Sequence, residues 1–285
     1  RVASATGNPD LFWAIRGGGG NFGICTSLEY KLQPVGQVYW GPMFYEISET
    51  ETILKFYRDY ITTAPDEMGA FPAFQIAPPL PFIPENRHGD MFAAIVACWS
   101  GDPAEGARQF KAFHDVAEVK AEMVGPVPYP AINAAFDGLF PTGIRQYWKG
   151  NFVKKLTDKA IAAHVQHGPN APTVSSTMHL YPINGACQRV APEATAFGHR
   201  DADFSMVILA ASDDPAQDAA NTKWVRDYSD AVAPHSEVGG YVNFMDDDDG
   251  TRVRANYGAN YDRLVKVKRQ FDPDNLFKVN QNIAP

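Results

Sequence analysis

Residues 16–32 read RGGGGNFGICTSLEYKL, and the kind of fold available to the chain turns on this stretch. Gly18, Gly20 and Gly23 satisfy the GxGxxG spacing of a dinucleotide-binding turn. Such a turn follows a strand and opens a helix, so that the helix N-terminus meets the pyrophosphate. Here the order is reversed. Asn8-Pro9 opens a short helix through DLFWAIR, with asparagine at the cap and proline at the first helical position. After the glycines, Ile24, Thr26, Leu28, Tyr30 and Leu32 alternate with Cys25, Ser27, Glu29 and Lys31, which is the period of a strand. Helix, turn, strand argues against a Rossmann site binding NAD, and no GK[ST] follows to make an ATP-binding loop. Four consecutive glycines are nevertheless costly to order, so close approach of a ligand to bare backbone is expected.

Outward from this turn, apolar periodicity predicts strands at 38–47, 70–77, 91–99 and 119–124, with helices at about 48–63 and from Asp102 onward. Ser48 and Glu51 form a capping-box pattern for the first of these helices, and Ala107, Phe110 and His114 form a stripe on the second. The proline-rich PPLPFIPENRHG at 78–89 reads as a loop. The same order then recurs, with strands at 144–153, 173–180, 204–211 and 238–243 and helices at 158–167 and 215–232. Two βαββαβ-like units in tandem predict an α+β fold, a large and mainly antiparallel sheet with helices on one face. A last helix carries Tyr257, Tyr261, Leu264 and Val265 on one side.

Composition narrows the function. The 285 residues are 45% hydrophobic and 20% charged, as in a soluble globular protein. The net charge of −8 argues against a nucleic-acid binder, and the longest apolar runs are too short to span a bilayer. The first residue is Arg1 rather than methionine and no signal peptide precedes it, so a processed product or a piece of something longer is expected. Localisation stays open, with a soluble, cytoplasmic protein slightly favoured. Cys25, Cys98 and Cys187 are scattered, which fits neither a disulfide framework nor a structural zinc site. DDDDG at 246–250 lacks the spacing of a calcium loop. His164 and His167 share a helix face without a third ligand of matching spacing, and read as surface histidines.

Three further stretches carry polar chemistry. In YVNF at 241–244, Tyr241 and Asn243 fall on one face of the predicted strand and could address a polar heterocycle. NQN at 280–282 offers Asn280 and Asn282 as donors and acceptors, and His199-Arg200-Asp201 reads as a loop with a local ion pair.

These stretches also carry a family likeness. NPDLFWAIRGGGGNFGICTSLEYKLQPVG at 8–36 and YGANYDRLVKVKRQFDPDNLFKVNQNIAP at 257–285 resemble the berberine-bridge-enzyme-like FAD-linked oxidases. RQYWKGNF at 145–152 and ATAFGHRDADF at 194–204 are weaker matches between them. The resemblance implies that 1–36 ends a flavin domain, 37–240 is a substrate domain and 241–285 returns to the flavin domain. It implies FAD-dependent oxidation of an alcohol, sugar or related small molecule, with oxygen as acceptor. Its cofactor-binding positions fall on Gly19, Gly20, Asn21, Phe22, Gly23 and Ile24, on Tyr241 and Asn243, and on Asn280 and Asn282. Phe244 stands where many members have a tyrosine base, which leaves Tyr241 as a weak catalytic candidate. The family's first half, with its covalent FAD attachment residues, has no counterpart in the sequence. FAD is therefore expected to be non-covalent or absent, and this chain alone to be inactive without that half. The alternative expectation is a non-catalytic small-molecule or partner-binding domain that self-associates through a bare flavin-facing surface.

Overall fold

In the computed structural model, residues 1–278 and 281–285 are described, with 247–249 described by backbone alone. The chain opens with a short helix, α1 (Pro9–Ala14), and a first unit follows. It comprises β1 (Gln37–Glu46), α2 (Thr50–Ile61), β2 (Met68–Ile76), β3 (Met91–Trp99), α3 (Gly106–Val116) and β4 (Val119–Glu122). A short strand, β5 (Gly125–Pro128), and helix α4 (Tyr129–Asn133) lead out of it. The second unit comprises β6 (Arg145–Val153), α5 (Asp158–His167), β7 (Thr177–Pro182), the one-turn α6 (Ala186–Arg189), β8 (Phe204–Ser212) and α7 (Asp218–Val232). Helices α8 (Val253–Tyr257) and α9 (Tyr261–Phe271) complete the order.

All eight strands form one sheet in the order β4-β1-β3-β2-β7-β8-β6, with β5 also on β1, and the described pairings are antiparallel. The order runs inward through the first unit and outward through the second. The units meet at a single ladder pair, Ala73 with His179. The Tyr57 hydroxyl reinforces that seam from the helix side, lying 2.8 Å from the Leu180 carbonyl and 3.1 Å from that of Ala70. The apolar runs of β3 and β8 are buried along nearly their whole length, as strands covered on both faces must be. One sheet face packs on α2, α3, α5 and α7 through residues such as Met43, Ile95, Met178 and Ile208. The two chain ends form a smaller core of their own, where Trp13, Ala14 and Phe22 meet Leu264, Val267 and Ile283.

Several sequence expectations need correction. Residues 24–32 are not a strand. Their alternation is real, but they pair with none of the described residues, and Ile24 and Leu32 are 82% and 86% exposed. A strand is a pairing, and alternation supplies only the period. Residues 238–243 are not a strand either. That segment makes two bonds with Phe152 of β6, Glu237 N–H to Phe152 O and Phe152 N–H to Gly239 O, and then turns away. Gly239 and Gly240 lie so close to the carbonyls of Ala255 and Gly150 that a Cβ would meet them at 2.4 and 2.3 Å. Asn8 precedes α1 in the left-handed region (φ 51°) and makes no side-chain cap bond, so proline alone marks that start. Likewise Ser48–Glu51 forms no capping box. A 3-10 turn at Ile47–Glu49 leads into α2, and Thr50 Oγ1 donates to the Ile47 carbonyl. On α3 the buried side is Gly106, Phe110 and Phe113, with Ala107 and His114 exposed.

Candidate functional site

The sheet face opposite the large helices carries a cleft of about 480 Å³. Strand alternation builds its floor: Trp40 and Phe44 from β1, Phe71 from β2, Val96 from β3, Leu209 from β8 and Trp148 from β6 all point the same way. The segment after α4 lies across this face and adds Phe136, Leu139 and Phe140. Ring contacts tie roof to floor, with Phe136 6.4 Å from both Trp40 and Phe71 and Phe140 6.2 Å from Trp148. Such a concave, mostly apolar site with a few convergent polar groups is the usual form of a small-molecule pocket.

The polar groups sit at the seam. His179 and Tyr181, two apart on β7, share the cleft face, and the Tyr181 hydroxyl lies 2.7 Å from His179 Nδ1. Burial pushes the imidazole down to about 3 and the phenol up to about 12. Both are therefore neutral near pH 7, and in the tautomer with hydrogen on Nε2 the imidazole accepts from the phenol. Tyr181 also packs against Phe244, at 5.6 Å between ring centroids.

The glycine turn lies at the core made by the chain ends. Gly17 (φ 120°) and Gly18 are glycine because the fold leaves no room, since a Cβ would meet Phe197 N and the Ala14 carbonyl at 2.4 Å each. Asn21 is completely buried and acts as a clasp. Its Nδ2 donates to the carbonyls of Gly18 and Gln281, and its Oδ1 accepts from Ile283 N–H. Beneath it, the buried Lys268 ammonium donates to the Asn21 and Phe277 carbonyls and to Asp272, at 2.6 to 2.9 Å. Burial would raise the Asp272 carboxyl, but bonds from Lys268 and from the Phe277 and Leu276 N–H groups hold it below its ordinary value.

Residues 240–284 match the family described as berberine and berberine like. The chain is 27% identical to an uncharacterized FAD-linked oxidoreductase, YgaK, of Bacillus subtilis, over the whole of this chain and 61% of that protein. Over its whole length the chain is thus similar to part of an FAD-linked oxidoreductase, and its residues 240–284 match the berberine and berberine like family. Its fold is that of wild-type BBE-like 1 from Physcomitrella patens (TM-score 0.80, 20% identity, 98% of this chain and 61% of that one). A chitooligosaccharide oxidase is equally similar (TM-score 0.80, 20% identity, 99% and 63%). The chain thus spans about three fifths of the length of the relatives it matches.

Within this family's pattern, the expected site residues divide. The side chains of Asn21 and Phe22 face inward, and the accessible part of the turn is Gly19 and Gly20 with Gly23 and Ile24. At Gly23 (φ 144°) nothing stands within 4 Å of where a Cβ would be. Asn280 lies outside the described residues. Asn282 Oδ1 is buried without a hydrogen-bond partner, an acceptor left open beside the clasp. An open glycine edge and an orphaned amide oxygen fit a polar heterocyclic cofactor such as FAD.

Tyr241 and Asn243 are brought together, though by a 3-10 turn at Val242–Phe244 rather than a strand. Asn243 Nδ2 donates to the Tyr241 hydroxyl at 2.8 Å. Tyr241 packs on Phe197 and Phe244 and is absent from the cleft lining, whereas Phe244 is part of it. The turn bridges the two sites, because just beyond it the Asp246 carbonyl accepts from Gln281 Nε2 beside Asn21.

Sequence reasoning missed the His179–Tyr181 pair, because the strand expected at 173–180 stops one residue short of Tyr181, whereas β7 runs on to Pro182 and places both on one face. It also misplaced His164, which is buried (1% exposed) with Nδ1 2.6 Å from the Tyr228 hydroxyl. In the His199–Asp201 loop, Asp201 pairs with Lys154 at 2.9 Å, and His199 Nε2 lies 3.0 Å from the Ala255 carbonyl. Among the described residues no cluster of His, Cys, Asp or Glu could hold a metal, and no helix is long and apolar enough to cross a membrane.

Proposed function

We propose that this chain forms the substrate-facing wall of an FAD-dependent oxidoreductase that oxidises a small-molecule alcohol, with oxygen as final acceptor. The observation that carries the reading is the His179–Tyr181 pair in the apolar cleft, joined through the 241–246 turn to the open glycine edge. Gly19, Gly20 and Gly23 would hold FAD by backbone, with Asn282 Oδ1 taking a ring or ribityl donor. When bound, FAD supplies the acceptor for a hydride from the substrate carbon. Tyr181 orients the substrate hydroxyl. As hydride leaves that carbon the hydroxyl proton becomes strongly acidic, and Tyr181 accepts it while passing its own proton to Nδ1 of His179. Phe244, which cannot hold a proton, shapes the site by packing on Trp148 and Tyr181.

Relatives bear names such as chitooligosaccharide oxidase and FAD-linked oxidoreductase, which supports oxidation of an alcohol or sugar carbon as the reaction class. The test is titration of the purified chain with FAD, read by quenching of flavin fluorescence. Saturable, non-covalent binding is expected. No quenching at millimolar protein sinks the reading, and colour that survives acid precipitation sinks its non-covalent part. A second reading, partner binding, is favoured by one observation: Ile24, Leu28, Tyr30 and Leu32 are 60–86% exposed along one segment. A strictly monomeric chain in sedimentation at high concentration counts against it.

A further inference from the structure

We propose that the cleft selects a neutral, flat and largely apolar ring system bearing a single polar handle, rather than a sugar or a charged acid. The inference rests on the preceding reading for its reaction, but its argument is the lining alone. None of the described residues lining the cleft is Asp, Glu, Lys or Arg. A charged ligand entering it would shed its hydration without gaining a counter-ion, a cost of several kcal/mol by any transfer scale.

The uncharged polar groups are mostly committed already. Gln75 donates its amide hydrogens to the Ile76 and Val174 carbonyls. The Thr177 hydroxyl donates to Phe74 O, and Trp148 Nε1 donates to Gln146. Tyr181 and His179 Nδ1 hold each other. Among the described lining side chains this leaves the Ser175 hydroxyl, the Trp40 indole N–H, the Gln75 side-chain oxygen, the outer nitrogen of His179 and the acceptor side of the Tyr181 hydroxyl. A pyranose carries several hydroxyls, each needing a partner once out of water. These few groups, spread over separate strands, cannot satisfy them all, but the pair at β7 suffices for one hydroxyl.

The shape agrees with the chemistry. The floor is a terrace of planar rings, Trp40, Phe71, Trp148 and Phe244, and Phe136 faces two of them across the cleft. A flat aromatic ring inserted there gains offset and edge contacts on both sides, which aliphatic walls would not reward. At about 480 Å³ the space falls well inside the range for small-molecule sites of roughly 300–1,000 Å³. The handle, placed toward β7, meets His179 and Tyr181.

Calorimetric titration of the purified chain, without added flavin, tests this directly. The probes are 2-naphthalenemethanol, cellobiose and 2-naphthoate. Saturable binding of 2-naphthalenemethanol is expected, with the other two weaker by at least about tenfold. Phe136→Ser, at a residue already 38% exposed and so of little consequence for folding, should weaken 2-naphthalenemethanol by about tenfold. Leu80→Glu, at the partly exposed rim, should weaken it as well. Cellobiose or 2-naphthoate binding as tightly as the alcohol, or no heat from the alcohol at all, overturns the proposal. So does unchanged affinity in F136S, because the ligand would then sit elsewhere. Because no flavin is present, failure here leaves the oxidoreductase reading standing, whereas failed FAD titration with intact naphthalenemethanol binding sinks only that reading.

Discussion

In the first half of the sheet, β4 follows α3 and pairs with β1 over residues 43–45. In the second half, the segment after α7 reaches the equivalent place beside β6, makes its two bonds at Phe152 and leaves. The first half is thus closed by a backbone ladder. The second is closed by handing the chain to the clasp around Asn21 and Lys268, where both chain ends meet. The helix layers differ in the same sense. Behind the first half lie Phe110 and Phe113; behind the second lie His164 and Tyr228. The regular half supplies apolar cleft floor. The half that breaks its pattern delivers the bridging turn and Phe244, and β7 of that half carries His179 and Tyr181.

If the clasp closes the second half, removing its buried cation should have the largest effect. Lys268→Met leaves the carbonyls of Asn21 and Phe277 without their donor, and a loss of about 3–5 kcal/mol is expected from urea denaturation midpoints. A loss below about 1 kcal/mol would show that the second half is closed by other contacts.

The next comparison is between the two tyrosines. Tyr181→Phe should lower the rate of flavin reduction by an aryl alcohol roughly a hundredfold, in whatever assembly turns over. Tyr241→Phe, outside the cleft, should stay within about threefold on the same scale of a fraction of a kcal/mol. Equal losses would move the proton acceptor from β7 to the bridging turn.

The two helix layers should also separate on acidification. Burial first, and then the nearby His235 and His167, push His164 down to about 3. The unfolded chain, with an imidazole near 6.5, binds the extra proton first. The stability due to neutral His164 is therefore complete above about pH 6.5 and declines as pH falls from there toward 3. His179, pushed equally low, adds to the same limb. His164→Gln should flatten that limb between pH 6 and 4 in thermal melts, by about half if the two histidines share it equally; an unchanged slope would assign the whole of it to other groups. The smallest effect is expected at Asn8→Gly. Asn8 already has φ 51° and caps nothing, so stability should shift by no more than about 0.5 kcal/mol.

The long elements of both halves were legible. MFAAIVACW in the first half and FSMVILAAS in the second read as strands because short continuous apolar runs suit a doubly covered sheet position, and α5 begins at Asp158, after a Thr157 cap. What stayed illegible was the set of features that depend on distant partners. Ile24–Leu32 has strand periodicity, but no described edge to pair with. Tyr241–Phe244 looks like a strand end, but crowding of Gly239 and Gly240 makes it a turn. His164 reads as a surface residue until Tyr228, sixty-four positions later, is found against it. The burial of Lys268 follows only once both chain ends fold over it. Fold class follows from local period; the site follows from which elements happen to face one another.

The seam between β2 and β7 has a consequence for how this scaffold can diversify. Only Ala73 and His179 pair across it, and the Tyr57 hydroxyl rivets the two strands from behind. Between the other long strands, a change of tilt would break a run of six to nine ladder pairs. Here the ladder is one pair, supplemented by side-chain bonds from Thr177 to Phe74 O and from Gln75 to Val174 O. The backbone ladder is thus thinnest directly beneath the polar pair, and the buried core behind it carries the join between the units. Substitutions at Tyr57, on the helix side of the sheet, would remove both of its bonds across that join without changing any residue that lines the cleft.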